Sequence, residues 1–362
     1  MKENKRPPQK KIILMGPYPP PYGGVATFNQ TLHDHLEPYG VLIWAHTSKP
    51  PTEPHVRHFN QNIIKTIQIL IQDGRKATIL DSSVFLLDWP NKVIIVILLL
   101  LKPFLKCRWI KIVHSGTLPS RFSRFSRTQK FFFRLATSLI DEYITVNEEL
   151  KLWLDKALNH KNKISMIPSL LPSSPTAFSG SLPPQIKEEL SSYSKLIVSI
   201  GLFLPNYGFK QTIEGIETLR NNRNLDIGLV LIEGTSAIDT QYREAVLKNR
   251  DWVKVYTDIP QSQVIQLLQM ADVYVRATLE ESYGLSKIEA LWSGTPVAST
   301  RQGETRGMTL FDRENPEQMI QAIEVVLLKP DRKEVHENAE LFKKEAKINL
   351  NSYLLHLGLT HE

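Results

Sequence analysis

One cysteine, Cys107, stands in 362 residues. No intramolecular disulfide can form, which fits a reducing compartment. Long apolar runs are missing too. The longest, Val93 to Leu101, is closed by Lys102-Pro103, whereas a membrane span needs about 20 such residues. The basic start MKENKRPPQKKIILMG is followed by too short an apolar stretch for a secretory signal. The most informative absence is of one charge sign. From Asp88 to Asp141 there is no Asp or Glu, while Lys92, Lys102, Lys106, Arg108, Lys111, Arg121, Arg124, Arg127, Lys130 and Arg134 fall in between. That local positive charge exceeds the net +7 of the whole chain, and such a field attracts phosphates on lipids, nucleotides or nucleic acid.

What is present describes a folded protein. Apolar residues make up 42% and charged residues 22%, a globular rather than a disordered composition. The length suits two domains of roughly 150–180 residues. Short aliphatic runs alternate with amphipathic stretches, the pattern of parallel α/β sheets. Predicted strands are 11–16, 41–46, 77–81, 109–114, 142–146 and 163–168, then 195–201, 227–234, 253–256, 272–277 and 296–300. Helices are predicted between them, such as 25–36 and 147–158. The stretch IPSLLPSSPTAFSGSLPPQI, 167–186, is rich in proline and serine and reads as a linker. The expected organisation is a first Rossmann-like domain over 1–172, a second over 173–347, and a helix over 348–362 that could pack back on the first.

Ligands of such sheets sit at the carboxyl ends of strands. After the first strand comes GPYPPPYGGVATF, in which Gly23 and Gly24 precede a helix. Glycines there let a ligand approach bare backbone, and a helix N-terminus favours an anion. The loop is not G-x-G-x-x-G, so a dinucleotide cofactor is not indicated, and a purely structural turn is the plainer reading. His114 ends the strand WIKIVH. It could hydrogen-bond a substrate or act as acid or base, or simply be a satisfied structural residue.

After DVYVRA comes TLEESYGLSKIEALWSGTPV. Leu285, Ile288 and Trp292 recur at helical spacing and would face the sheet. Ser286, Glu289 and Ser293 share another face, with Glu281 in the loop ahead. Carboxylates suit sugar hydroxyls because each accepts two directional hydrogen bonds. Acids near a helix start are also favoured by the helix dipole alone.

Glu281 and Glu289 resemble the E-x7-E motif of family 4 retaining glycosyltransferases, which have the GT-B fold. EALWSGTPVAS is similar to that family's E-A-x-x-x-G-x-P-V-x-A/S, PPPYGGVATF to its glycine-rich N-terminal loop, and VHSG to its strand-terminal histidine. ITVNEEL followed by KISMIPSLL resembles the end of its first domain, so the likeness runs along essentially the whole chain. The resemblance implies an α/β GT-B protein of two doubly wound Rossmann-like domains facing a central cleft. Glu289 would hold the donor ribose and Glu281 the transferred sugar. Gly284, Leu285 and Ser286, with Tyr283 beside them, would meet the diphosphate, and His114 would lie near the reacting sugar. The implied donor is a UDP- or GDP-linked sugar and the acceptor a glycan or lipid-linked molecule. No cofactor or metal is implied, since the chain has no D-x-D pair and helix dipoles plus cations can neutralise a leaving diphosphate. The pathway implied is polysaccharide or glycolipid synthesis. Other readings are a nucleotide-sugar epimerase of the same fold, or a binding scaffold without turnover.

The sequence departs from that family at the start of the second domain, where an Arg and a Lys usually bind the diphosphate. SIGLFLPNYGFKQTIEGI keeps Gly201 but has Leu202 at the Arg position and Tyr207 at the Lys position, before Gly208. Lys210, Arg276 and Arg306 are candidate substitutes, Lys210 being nearest in sequence, although it could equally be an exposed helix lysine.

Finally, SRFSRFSRTQKFFFRLATSLI interleaves Arg121, Arg124, Arg127, Lys130 and Arg134 with Phe122, Phe125 and Phe131 to Phe133. On a helix this composition suits an anionic membrane surface. No nucleic-acid motif accompanies it, and a solvated helix with inward Phe residues is the alternative. The expectation is a cytoplasmic protein held peripherally at the inner face of the cell membrane.

Overall fold

The computed structural model describes residues 11–45, 56–58, 63–83, 89–158, 163–171, 182–234 and 239–359. They form two compact units. Unit 1 takes in residues 1–20, 25–170 and 349–362, and unit 2 takes in 21–24 and 171–348.

Unit 1 runs β1 (Ile12–Gly16), α1 (Gly24–Leu36), β2 (Leu42–Ala45), β3 (Val56–His58), α2 (Ile63–Asp73), β4 (Thr78–Asp81), α3 (Trp89–Leu105), β5 (Arg108–Val113), α4 (Leu118–Ser123), α5 (Arg127–Thr137), β6 (Glu142–Thr145), α6 (Glu148–Leu158) and β7 (Lys163–Met166). Its strands are all parallel in the order β3-β2-β1-β4-β5-β6-β7. The order reverses direction between β1 and β4, the doubly wound arrangement. Predicted strands fall on observed ones; β3, three residues long, is too short to stand out in the sequence.

Unit 2 runs α7 (Pro184–Ser191), β8 (Lys195–Gly201), α8 (Phe209–Arg223), β9 (Ile227–Glu233), α9 (Thr240–Leu247), β10 (Val253–Thr257), α10 (Gln261–Met270), β11 (Val273–Arg276), α11 (Leu285–Trp292), β12 (Val297–Thr300), β13 (Thr309–Phe311), α12 (Pro316–Leu328) and α13 (Arg332–Leu357). Its parallel order is β10-β9-β8-β11-β12-β13, reversing between β8 and β11. β9, IGLVLIE, is buried at every position, as a central parallel strand covered on both faces must be. The prolines read as a linker end by starting a helix: Pro184 opens α7, where a fixed φ and a missing N–H cost nothing. Residues 172–181 of that stretch lie outside the described residues.

The sequence suggested one cationic, aromatic helix over 121–134. The structure has two. The chain breaks at Arg124, and Ser126 starts α5 with a reciprocal capping box to Gln129, which satisfies the first orphan amides of the new helix.

The last part of α13 completes the core of unit 1. Tyr353, Leu354 and Leu357 are buried there with Phe28, Leu32 and Ile144, and the Tyr353 ring lies 5.7 Å from that of Phe28. His356 Nε2 lies 3.2 Å from a carboxylate oxygen of the buried Glu142. Replacing Tyr353 by Ala is expected to cost about 3–5 kcal/mol in urea denaturation. An unchanged midpoint would contradict this packing.

Candidate functional site

In unit 2 the strand order reverses between β8 and β11, so the carboxyl ends of those strands frame the crevice where ligands of such sheets bind. β11 is VYVR, buried throughout, and its last residue is Arg276. An unpaired guanidinium in that position would cost several kcal/mol. Its Nε and Nη2 both donate to Glu281 Oε2, at 2.8 and 2.7 Å, and Nη1 donates to the backbone oxygen of Ile200 on β8. One side chain thus ties the two strands together and fixes Glu281. Burial works against the guanidinium charge, but the neighbouring Glu281 carboxylate overrides it, so the proton is held more tightly than in ordinary arginine. The ring of Tyr207 lies 5.3 Å from the guanidinium carbon, a cation–π contact.

Tyr207 ends a short 3₁₀ turn, Pro205–Tyr207. Gly208 follows with φ +80°, and a Cβ there would fall 2.1 Å from the oxygen of Ala277. Only glycine lets this turn lie against the end of β11. Asn206 then accepts from the Leu279 amide at 2.9 Å and from the buried Arg313 at 3.2 Å. Where an Arg and a Lys were looked for, the chain therefore builds a pinned turn with an aromatic ring, which lies against the Arg276 guanidinium of β11.

Helix α11 also starts from a left-handed glycine, Gly284, with φ +80°. A side chain there would strike Lys287 Cε, at 2.5 Å. Lys287 is fully buried and donates to the oxygens of Gln302 and, at 2.6 Å, Glu304. It thereby holds the 302–304 loop, in which a Cβ on Gly303 would approach Glu281 Cγ to 3.1 Å. Burial pulls the Lys287 ammonium down to about 8, with Glu281 raising and Arg276 lowering it further.

Glu289 stands on the second turn of α11, 4% exposed. Its Oε1 accepts from Gln261 Nε2 at 2.7 Å. Burial pushes this carboxyl up to about 8, the Gln261 hydrogen bond opposing, so it is mainly protonated at pH 7. Ser286 accepts from the Tyr274 hydroxyl at 2.8 Å. Leu285 and Tyr283 pack partly into the core, and the Tyr283 oxygen accepts from the Glu304 amide at 3.0 Å.

Glu281, Tyr283, Gly284, Leu285, Ser286 and Glu289 thus form one loop-to-helix element, with Arg276, Tyr207 and Lys287 behind it. Two expected substitutes lie elsewhere. Lys210 is on the exposed face of α8, 3.7 Å from Glu214. Arg306 is bound by Glu304 and Glu345, each at 2.7 Å. Neither touches Glu281; Arg276 does.

In unit 1, His114 follows β5. Its ring meets Phe28 edge-on at 4.5 Å, and its Nε2 is buried with no hydrogen-bond partner among the described residues. Burial, with Lys111 second, pulls its pKa to about 3, so the imidazole is neutral at pH 7. Lys111 itself is buried and paired with Asp81 at 2.9 Å. Gly23 and Gly24 stand at the start of α1, and a Cβ on either would meet nothing within 4 Å. The Tyr22 amide just before them donates to Asp258 at 2.6 Å. In the basic stretch, Arg121, Arg124, Arg127 and Arg134 are exposed. Lys130 lies 5.6 Å over the Phe122 ring. Sequence reasoning missed the roles of Lys287, Tyr207 and Gln261. One signal was available for Arg276: a charge inside a buried strand must have a partner nearby.

The fold matches solved glycosyltransferase structures of GT-B type. Sucrose-phosphate synthase from Thermosynechococcus elongatus aligns with TM-score 0.69 at 15% identity, over 96% of this chain and 97% of that one. The Anabaena protein HepE, in complex with UDP and glucose, aligns with TM-score 0.73 at 13% identity, over 96% and 99%. An α,α-trehalose-phosphate synthase (UDP-forming) from Burkholderia vietnamiensis aligns with TM-score 0.69 at 12% identity, over 97% and 99%. No curated protein matches by sequence. Residues 184–344 match the family Glycosyl transferases group 1. The matched stretch lies within unit 2, and Arg276, Glu281 and Glu289 all fall inside it.

The raised Glu289 pKa gives a testable sign. The folded state keeps this proton from pH 4.5, its ordinary value, up to about 8, while the unfolded chain loses it, so stability falls as pH rises through that window. Glu289→Gln is expected to be more stable than wild type at pH 8, the gap closing towards pH 4.5. Parallel stability curves by urea denaturation would contradict a buried, protonated Glu289.

Proposed function

We propose that the chain is a retaining, family 4 glycosyltransferase. It moves a sugar from a UDP- or GDP-linked donor to a glycan or lipid-linked acceptor, in polysaccharide or glycolipid biosynthesis. The observation that carries this reading is the single element holding Glu281, Gly284 and Glu289 within the matched domain. HepE in complex with UDP-glucose, a neighbour in fold at 14% identity, supports a UDP-sugar donor.

In this reading Glu289 receives the ribose; a protonated carboxyl both donates and accepts, matching a pair of vicinal hydroxyls. Glu281 offers the transferred sugar its Oε1, since Arg276 engages Oε2. The diphosphate meets the backbone amides at the start of α11, where Arg276 and Lys287 add the positive field usually given by an Arg/Lys pair. That charge offsets the leaving diphosphate without a metal ion. In a front-face displacement the bond from the anomeric carbon to the phosphate oxygen breaks while the acceptor oxygen bonds to the same face, and the acceptor's proton passes to the leaving phosphate. Gly23, Gly24 and the neutral His114 are further hydrogen-bonding groups for substrate. The protein works at the inner membrane surface, held by Arg121, Arg124, Arg127, Lys130 and Arg134.

The absence of cations at Leu202 and Tyr207 favours one second reading, a nucleotide-sugar-binding scaffold. Nucleotide release from a panel of UDP- and GDP-sugars separates the two. Wild type is expected to release nucleotide, and Glu281→Gln, which keeps an acceptor for Arg276, to be slowed about 100-fold or more. Donor-induced thermal stabilisation with no release from any donor would establish the scaffold instead.

A further inference from the structure

Helix α3, WPNKVIIVILLLLKPFL, has 17 residues, two lysines and no acid. Val96, Leu100 and Phe104 recur along it every four residues and are 41%, 67% and 78% exposed, whereas Leu105 is buried. Pro103 is exposed beside them. This is a ridge of large apolar side chains left in water, an arrangement that marks an interaction surface. Among the described residues no helix is long and apolar enough to cross a membrane.

Helix α5 packs against α3. On it Arg127, Phe131 and Arg134 fall at i, i+4 and i+7, all exposed. Of the other aromatics of the basic stretch, Phe122 packs on Phe125, Phe133 and Trp153 with centroids 5.0–5.8 Å apart, and Phe132 lies against Phe131 at 5.5 Å. Among the described side chains, Phe131 and the α3 ridge are the exposed large apolar groups of the segment 89–140, which has no acidic residue.

We propose that α3 is an interfacial membrane helix. Its Val96–Leu100–Phe104 ridge lies among the acyl chains of an anionic bilayer, and Arg127 and Arg134 of α5 bind lipid phosphates. The composition selects this occupant. A second copy docked through the same face would set one predominantly basic surface, in which Lys102 is paired to an acid, Asp141 at 2.8 Å, against another in a two-fold interface. Free phosphate would leave the apolar ridge in water. An anionic bilayer alone offers apolar depth beneath a layer of negative charge. The inference deepens the membrane-surface reading above, moving the weight of docking from the basic helix to α3, and does not depend on catalysis.

The test uses the full chain with phosphatidylcholine vesicles, with and without phosphatidylglycerol. Wild type is expected to co-sediment only with the anionic vesicles. Leu100→Asp with Phe104→Asp is expected to lower partitioning on the order of tenfold or more, with turnover of a soluble donor unchanged. In a Phe104→Trp variant the indole emission is expected to shift to the blue on adding anionic vesicles. An unshifted emission, or undiminished co-sedimentation of the double Asp variant, would overturn the proposal. If the basic-face variant Arg127→Glu with Arg134→Glu loses vesicle binding while the ridge variant keeps it, membrane docking stands and the α3 role falls. A wild-type dimer that the double Asp variant abolishes would assign the ridge to a second copy and also overturn it.

Discussion

The ion pair between Arg276 and Glu281 is the constraint on which the site in unit 2 depends. A guanidinium at the end of a fully buried strand is tolerable only if its donors are used, and these are shared between Ile200 of β8 and the carboxylate of Glu281. The same contacts close the two strands that flank the reversal of order and hold a carboxylate at their ends. A buried pair of this kind is seldom a net source of stability compared with apolar residues of similar volume, but removing one partner strands the other charge. Its effect is to specify where Glu281 stands.

Around that pair, two left-handed glycines set the approach of backbone to it. Gly208 brings the Tyr207 turn onto β11, and Gly284 starts α11 above Lys287. The result is a relocation of charge. Cations are missing from the loop after β8, where an Arg and a Lys were looked for, yet Arg276 and Lys287 place positive charge beneath the loop that carries Glu281. Both are buried, so neither is a flexible surface cation. Their field is fixed before any ligand arrives, which is the form of electrostatic stabilisation that needs no reorganisation.

Much of the fold was legible because parallel strands buried on both faces write continuous apolar runs; IGLVLIEG and KLIVSIG needed no further context. Strands of three residues, such as β3 and β13, were not, because they hold barely one and a half periods of the alternation. The break between α4 and α5 is signalled only by Ser126 and Gln129, a capping box hidden in a run of Arg and Phe. That Glu281 and Glu289 share one loop-to-helix element was readable from their spacing. Arg276 was one of three candidate cations, but its partner was not readable: Arg276 and Glu281 lie five residues apart, a spacing that neither helix nor strand brings together, so loop geometry makes the pair. Lys287 resembled an ordinary helix lysine, and only the φ of Gly284 and the path of residues 302–304 turn it inward.

Calorimetric titration of the wild-type chain with UDP and with GDP addresses the central claim most directly, because the base and diphosphate bind without any acceptor. One nucleotide is expected to bind per chain, with affinity weakened when Glu289 is replaced by Ala. Absence of heat with both nucleotides, or equal affinity in the Glu289→Ala variant, would contradict a donor site built on α11.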